Sequence, residues 1–174
     1  MKYLVEIRRK RKNDGIAIIL FLLLFSFSSC FKPQTFPKEP NIEFIDFIVK
    51  DTFDILQNRV LNGTLHFYFV DGDGDIGYDT TSPRKNTIFL QKYKIENKQE
   101  VLINLQVPLE YFVPKFKKNN QDGALQGEMF VKDLNETFPF ENDTIMYKFY
   151  IKDRAGNKSN VASTGYIIVN NYLQ

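Results

Sequence analysis

Cysteine and histidine occur once each in the sequence and tryptophan not at all, and each scarcity closes off a chemistry. One cysteine, Cys30, allows no disulfide within the chain and leaves no set of thiolates for zinc or redox work. The one histidine, His66, falls in the middle of an alternating apolar stretch, where an outward strand residue is expected rather than a general base. No G-x-S-x-G, phosphate loop or H-E-x-x-H occurs, so the chain is expected not to be an enzyme. Long apolar runs are missing too. The longest useful one, residues 16–25, is well short of the ~20 residues that cross a ~30 Å hydrocarbon core.

What is present at the start is an address. Six basic residues (Lys2, Arg8, Arg9, Lys10, Arg11, Lys12) precede that apolar run, and small residues follow it. These are the parts of a secretory signal. Phe27-Ser28-Ser29-Cys30 resembles the lipobox at which a lipoprotein signal peptide is cut. Residues 1–29 are therefore expected to be removed and Cys30 to carry the lipid that holds the mature chain to a membrane. Without them 17 basic and 19 acidic residues remain. No basic patch survives that would point to nucleic acid. The mature chain begins Phe31-Lys32-Pro33, with its first acid at Glu39, which favours an outer-membrane anchor facing the periplasm over the cell surface.

Residues 30–41 carry three prolines and no apolar period, the pattern of an extended tether. Residues 42–174 read as one all-β domain. The segments 42–49, 64–70, 87–95, 100–107, 127–132, 144–152 and 163–169 are short and rich in Ile, Val, Phe, Tyr and Thr, with turn residues between most of them. Leu65, Phe67 and Phe69 alternate with His66 and Tyr68, and Tyr147, Phe149 and Ile151 with Lys148, Tyr150 and Lys152. About seven such strands predict a single immunoglobulin-like antiparallel sandwich. Asp143 to Phe149 resembles the tyrosine corner of that fold, with Tyr147 bonding back to the backbone and Phe149 where antibody domains place a cysteine. The segment 144–152 is accordingly expected to be strand F.

The stretch Asp71-Gly72-Asp73-Gly74-Asp75-Ile76-Gly77 follows the expected strand B directly. Carboxylates at every second position, spaced by glycines, can curl until their oxygens converge, and calcium takes 6–8 oxygens at about 2.3–2.6 Å. The loop is not an EF-hand, because Ile76 stands where the invariant glycine is due and Ser82 where the glutamate is due. Asp79 falls at the ninth position of such a loop, where a ligand is allowed. Strand order brings the B–C and F–G loops to one pole of the sandwich. Asp153 and Asn157, in the loop Asp153 to Asn160, are then expected to join Asp71, Asp73, Asp75 and Asp79 around calcium. A bare Asp/Gly turn, a magnesium site, and Arg154 paired with one of these carboxylates are the competing arrangements.

Taken in order, FVDGDGDIG, GEMFVKDL and YIKDRAGNKSNV resemble a family of uncharacterised Bacteroidetes lipoproteins over nearly the whole mature chain. That resemblance implies one immunoglobulin-like domain and adds no mechanism. The function expected is a non-catalytic, membrane-anchored structural or partner-binding module, stabilised by calcium at one pole. A carbohydrate-binding lipoprotein using outward Tyr68, Tyr78, Tyr93 and Tyr150 is the alternative, and a hydrolase working through Asp71 and Asp75 the remote one.

Overall fold

Alternation along the chain builds the architecture. In the computed structural model, residues 36–81, 85–116 and 123–173 are described; the signal segment, Cys30, the first residues of the tether and Ser82 lie outside the described residues. Strands β1 (Asn41–Phe53), β2 (Arg59–Asp71) and β6 (Leu125–Thr137) form one antiparallel sheet in the order β1-β2-β6. Strands β3 (Ile88–Glu96), β4 (Gln99–Leu102), β7 (Thr144–Ile151) and β8 (Ala162–Ser163) form the second, in the order β4-β3-β7-β8. Two short strands complete it: β5 (Leu109–Tyr111) on β3 and β9 (Ile167–Ile168) on β7. In immunoglobulin lettering these are sheets A-B-E and C′-C-F-G, with β7 as strand F. The all-β, immunoglobulin-like sandwich is what the sequence predicts.

The inward rows meet between the sheets. Leu65, Phe67 and Phe69 from β2 are at most 2% exposed, as are Ile145, Tyr147, Phe149 and Ile151 from β7. The rings of Phe67 and Phe149 lie 5.1 Å apart at the centre. Val131, Leu134, Ile88 and Leu90 extend the same core, and two loop residues, Ile76 and Val113, close it.

Among the described residues the strands number nine rather than about seven, for local reasons. The expected strand 100–107 ends at Leu102, and the chain runs on to Pro108, which has no N–H for a ladder. It then re-pairs with the opposite end of β3 as β5, a strand not foreseen in the sequence. The expected strand 163–169 is split at Thr164-Gly165. There the Thr164 hydroxyl accepts the N–H of Tyr147 at 3.0 Å, so a side chain stands in for the ladder's carbonyl. Ser159 does the same for the N–H of Ile151, at 3.0 Å.

The tyrosine corner needs correcting. Tyr147 is buried on strand F, but its hydroxyl donates to the Glu136 carboxylate at 3.2 Å rather than to a backbone carbonyl. Glu136 also takes Lys92 Nζ at 2.5 Å, so one carboxylate of β6 ties together β3 and β7 of the other sheet. Burial, then the nearby Glu136 charge, holds the phenol far above its ordinary pKa, and Tyr147 stays a neutral donor. Tyr147→Phe removes a bond to a charged, half-buried group; thermal unfolding should show a loss of about 1–2 kcal/mol.

Candidate metal centre

The acidic loop begins where β2 ends, and the period of the strand decides which way its first carboxylate points. Asp71 continues the inward row of Leu65, Phe67 and Phe69, and is fully buried. Its Oδ2 accepts the backbone N–H of Asp75 at 2.6 Å, which curls the loop on itself. The tether packs against this turn. Gly72 N–H donates to the Pro37 carbonyl at 2.9 Å, and a Cβ at Gly72 would fall 2.1 Å from that oxygen, so only glycine fits. At Gly77 the chain turns away with φ +81°, and the next residue, Tyr78, bonds Val113.

The F–G loop meets it from the other sheet. Asp153 is also fully buried, its two oxygens taking the backbone N–H and the side-chain Nδ2 of Asn157, each at 2.7 Å. Tyr78 Oη donates to the Asp153 carbonyl at 3.2 Å. Ala155 N–H reaches Asp75 Oδ2 at 3.1 Å, and Arg154 N–H reaches the Asp75 carbonyl at 3.3 Å. Asn160 fastens the same loop to β1 through both backbone groups of Ile42, at 2.8 and 2.9 Å.

One carboxylate oxygen from each of Asp71, Asp75 and Asp153 lies within 4.8 Å of the other two. Two oxygens bound to one calcium at 2.3–2.6 Å are at most about 5 Å apart, so each pair of these residues is spaced closely enough to share an ion. Two atoms in the cluster, Asp71 Oδ1 and Asp75 Oδ1, are buried without any hydrogen-bond donor. Such atoms cost free energy unless a proton or a cation meets them. Burial foremost, helped by repulsion from Asp73, Asp75 and Asp153, pushes the Asp71 carboxyl up to about 6 despite the bond from Asp75 N–H. Asp75 is raised as well, by burial and then by Asp153 and Asp73, with Arg154 opposing. Near neutral pH Asp71 is then mostly charged while its Oδ1 meets no donor.

The six residues named from the sequence divide. Asp71, Asp75 and Asp153 converge. Asn157 orients Asp153 by donating to it. Asp73 is exposed on the outside of the loop. Asp79 is exposed too, and its Oδ1 is held by the Thr81 N–H and hydroxyl at 3.0 and 2.8 Å, outside the cluster. The competing Arg154 pair is not what forms. Arg154 Nη1 donates to the carbonyls of Ile76 and Gly77 at 3.3 and 2.9 Å, clamping the backbone of the acidic loop. Sequence alone gave no sign of that use, nor of Tyr78 as a donor to the F–G loop, because both depend on which carbonyls the fold presents.

No family model, curated protein or solved structure matches the chain.

Proposed function

We propose that this chain is an exported lipoprotein carrying a non-catalytic partner-binding domain, stiffened by calcium held between Asp71, Asp75 and Asp153. The observation that supports it most is the pair of buried carboxylate oxygens, Asp71 Oδ1 and Asp75 Oδ1, left without donors beside a third carboxylate. An ion there joins the B–C loop to the F–G loop, and so one sheet to the other. Calcium suits the all-oxygen donor set, and exposed Asp73 adds negative charge that draws a cation in. Calorimetric titration of residues 31–174 with calcium tests it: a dissociation constant of about 0.1–1 mM is expected, the range of extracellular modules. The heat should vanish in Asp71→Asn. No binding heat in the parent protein would remove the ion from the proposal.

Membrane attachment rests on the first 30 residues. Among the described residues no helix is long and apolar enough to cross a membrane. The basic start, the short apolar run and Cys30 support an export signal with a lipid on the cysteine, facing the periplasm. Expressed in a Gram-negative host, the full chain should partition with membranes and incorporate labelled fatty acid, and Cys30→Ala should lose the label. A full chain that takes up no label would overturn the anchor while leaving the calcium site untouched.

A further inference from the structure

The pole opposite the acidic loop carries an apolar tip. The β1–β2 hairpin turns at residues 54–58, between Phe53 and Arg59, which pair across it. Ile55 is 97% exposed at this tip, Leu56 75% and Phe53 62%. Phe138, whose N–H donates to the Arg59 carbonyl at 3.0 Å, stands beside the hairpin at 50% exposure with its ring edge-on to Phe140. Apolar side chains gathered at one convex end mark a contact with a membrane or another protein.

Most of the turn's backbone N–H groups are bonded within it. Asp54 N–H donates to the Asn58 carbonyl at 2.9 Å, and Gln57 N–H to the Asp54 carbonyl at 3.1 Å. Asp54 Oδ1 takes the N–H groups of Leu56 and Asn58 at 2.8 and 2.9 Å, and Oδ2 takes Asn58 Nδ2 at 3.0 Å. Gln57 sits at φ +65° to close the turn. Four of its backbone donors and its one carboxylate are thus bonded inside the loop, and Asp51 and Arg59 neutralise each other at its base.

We infer that this tip enters the interfacial layer of an uncharged phospholipid bilayer, with Ile55 and Leu56 reaching the acyl chains. Lipid, unlike water, offers no partners to backbone N–H groups, and four of the five N–H groups of residues 54–58 are already bonded within the loop. The shape also favours lipid, which takes a convex apolar knob anywhere, whereas a protein partner must offer a matching groove. Residues 53–58 include no lysine or arginine, so anionic headgroups are not what the tip recognises. The contact is independent of the cation and of any lipid on Cys30.

The absence of tryptophan from the chain makes the test direct. Residues 31–174, which contain the whole compact unit Thr35–Gln174, are prepared with Leu56→Trp as the only indole. With vesicles of phosphatidylcholine and phosphatidylethanolamine, its emission should shift to the blue and be quenched by nitroxide-labelled acyl chains. The unsubstituted protein should float with the same vesicles. Ile55→Asp with Leu56→Asp should lower the partition coefficient by more than about tenfold while leaving the melting temperature unchanged, since both side chains are exposed. Three outcomes would overturn the inference. These are failure to float, flotation with the indole emission unmoved, and a dimer in the ultracentrifuge that the double variant abolishes without any vesicle binding.

Discussion

Removing calcium from residues 31–174 at pH 7.5 should lower the melting temperature by about 3–6 °C relative to ten times the dissociation constant of the ion. A ligand that binds only the folded state adds RT ln(1 + [L]/Kd), which at that excess is about 1.4 kcal/mol. For a domain of this size each kcal/mol moves the transition by a few degrees. Asp71→Asn, Asp75→Asn and Asp153→Asn should each abolish or strongly reduce the response. Asp153 is the decisive one, because it lies in the loop that follows β7 of the other sheet and responds only if the two loops share an ion. Asp73→Asn and Asp79→Asn should matter less, since both side chains are exposed and outside the converging set.

The same experiment has a pH dependence with a definite sign. Without calcium, Asp71 in the folded protein titrates near 6, above its ordinary 3.8. The folded state then holds that proton more tightly than the unfolded chain does. The stability this gives is fully present below 3.8 and lost as pH rises through 6. The ion-free protein should therefore lose the Asp71 contribution as pH rises from about 3.8 through 6. Calcium and the proton compete for the same oxygens, so the calcium-induced shift should shrink as pH falls below 6. Equal melting temperatures in calcium and in chelator at pH 7.5 would reduce the loop to a hydrogen-bonded turn.

Phe149→Ala should cost about 3–5 kcal/mol, the range for deleting a buried aromatic ring from a core. Phe149 is fully buried on strand F with Phe67 of the facing sheet 5.1 Å away, so the cavity opens in the middle of the sandwich. Domains have only 5–15 kcal/mol of stability, and this variant should unfold at much lower urea or temperature. Phe149→Leu keeps most of the volume and should lose less. Its neighbour Tyr150 points to the outer face, stacked 5.1 Å from Phe89, and Tyr150→Ala should cost less than Phe149→Ala. A loss below about 1 kcal/mol for Phe149→Ala would mean that the two sheets do not meet at this residue.

Side-chain direction was the legible part of the fold. The inward row on β2 and the inward row on β7 both follow from simple alternation, and so does strand F for 144–151. Less legible were the edges of the second sheet. The chain leaves β4 at Leu102 and pairs again as β5, and the hydroxyls of Thr164 and Ser159 replace ladder carbonyls, features that composition does not reveal. The hairpin tip was missed altogether. A turn holding Ile55-Leu56 between Asp54 and Asn58 is the signal that was there to find, since turns rarely carry two aliphatic residues side by side.

By itself the sequence determined the two inward rows, Leu65, Phe67 and Phe69 on one strand and Tyr147, Phe149 and Ile151 on the other, because a period of two is local. It also determined the Asp/Gly loop and, through the expected strand order, that Asp153 would lie at the same pole. Only the tertiary structure decided which acids converge. Asp71 and Asp153 are separated by some eighty residues, one at the end of β2 and the other in the loop after β7 of the facing sheet, so their approach depends on how the sheets stack, while Asp73 and Asp79 are exposed. It decided the partner of Tyr147 in the same way. A buried hydroxyl bonds whichever acceptor packing brings within reach, and here that is Glu136 of the facing sheet instead of the local backbone.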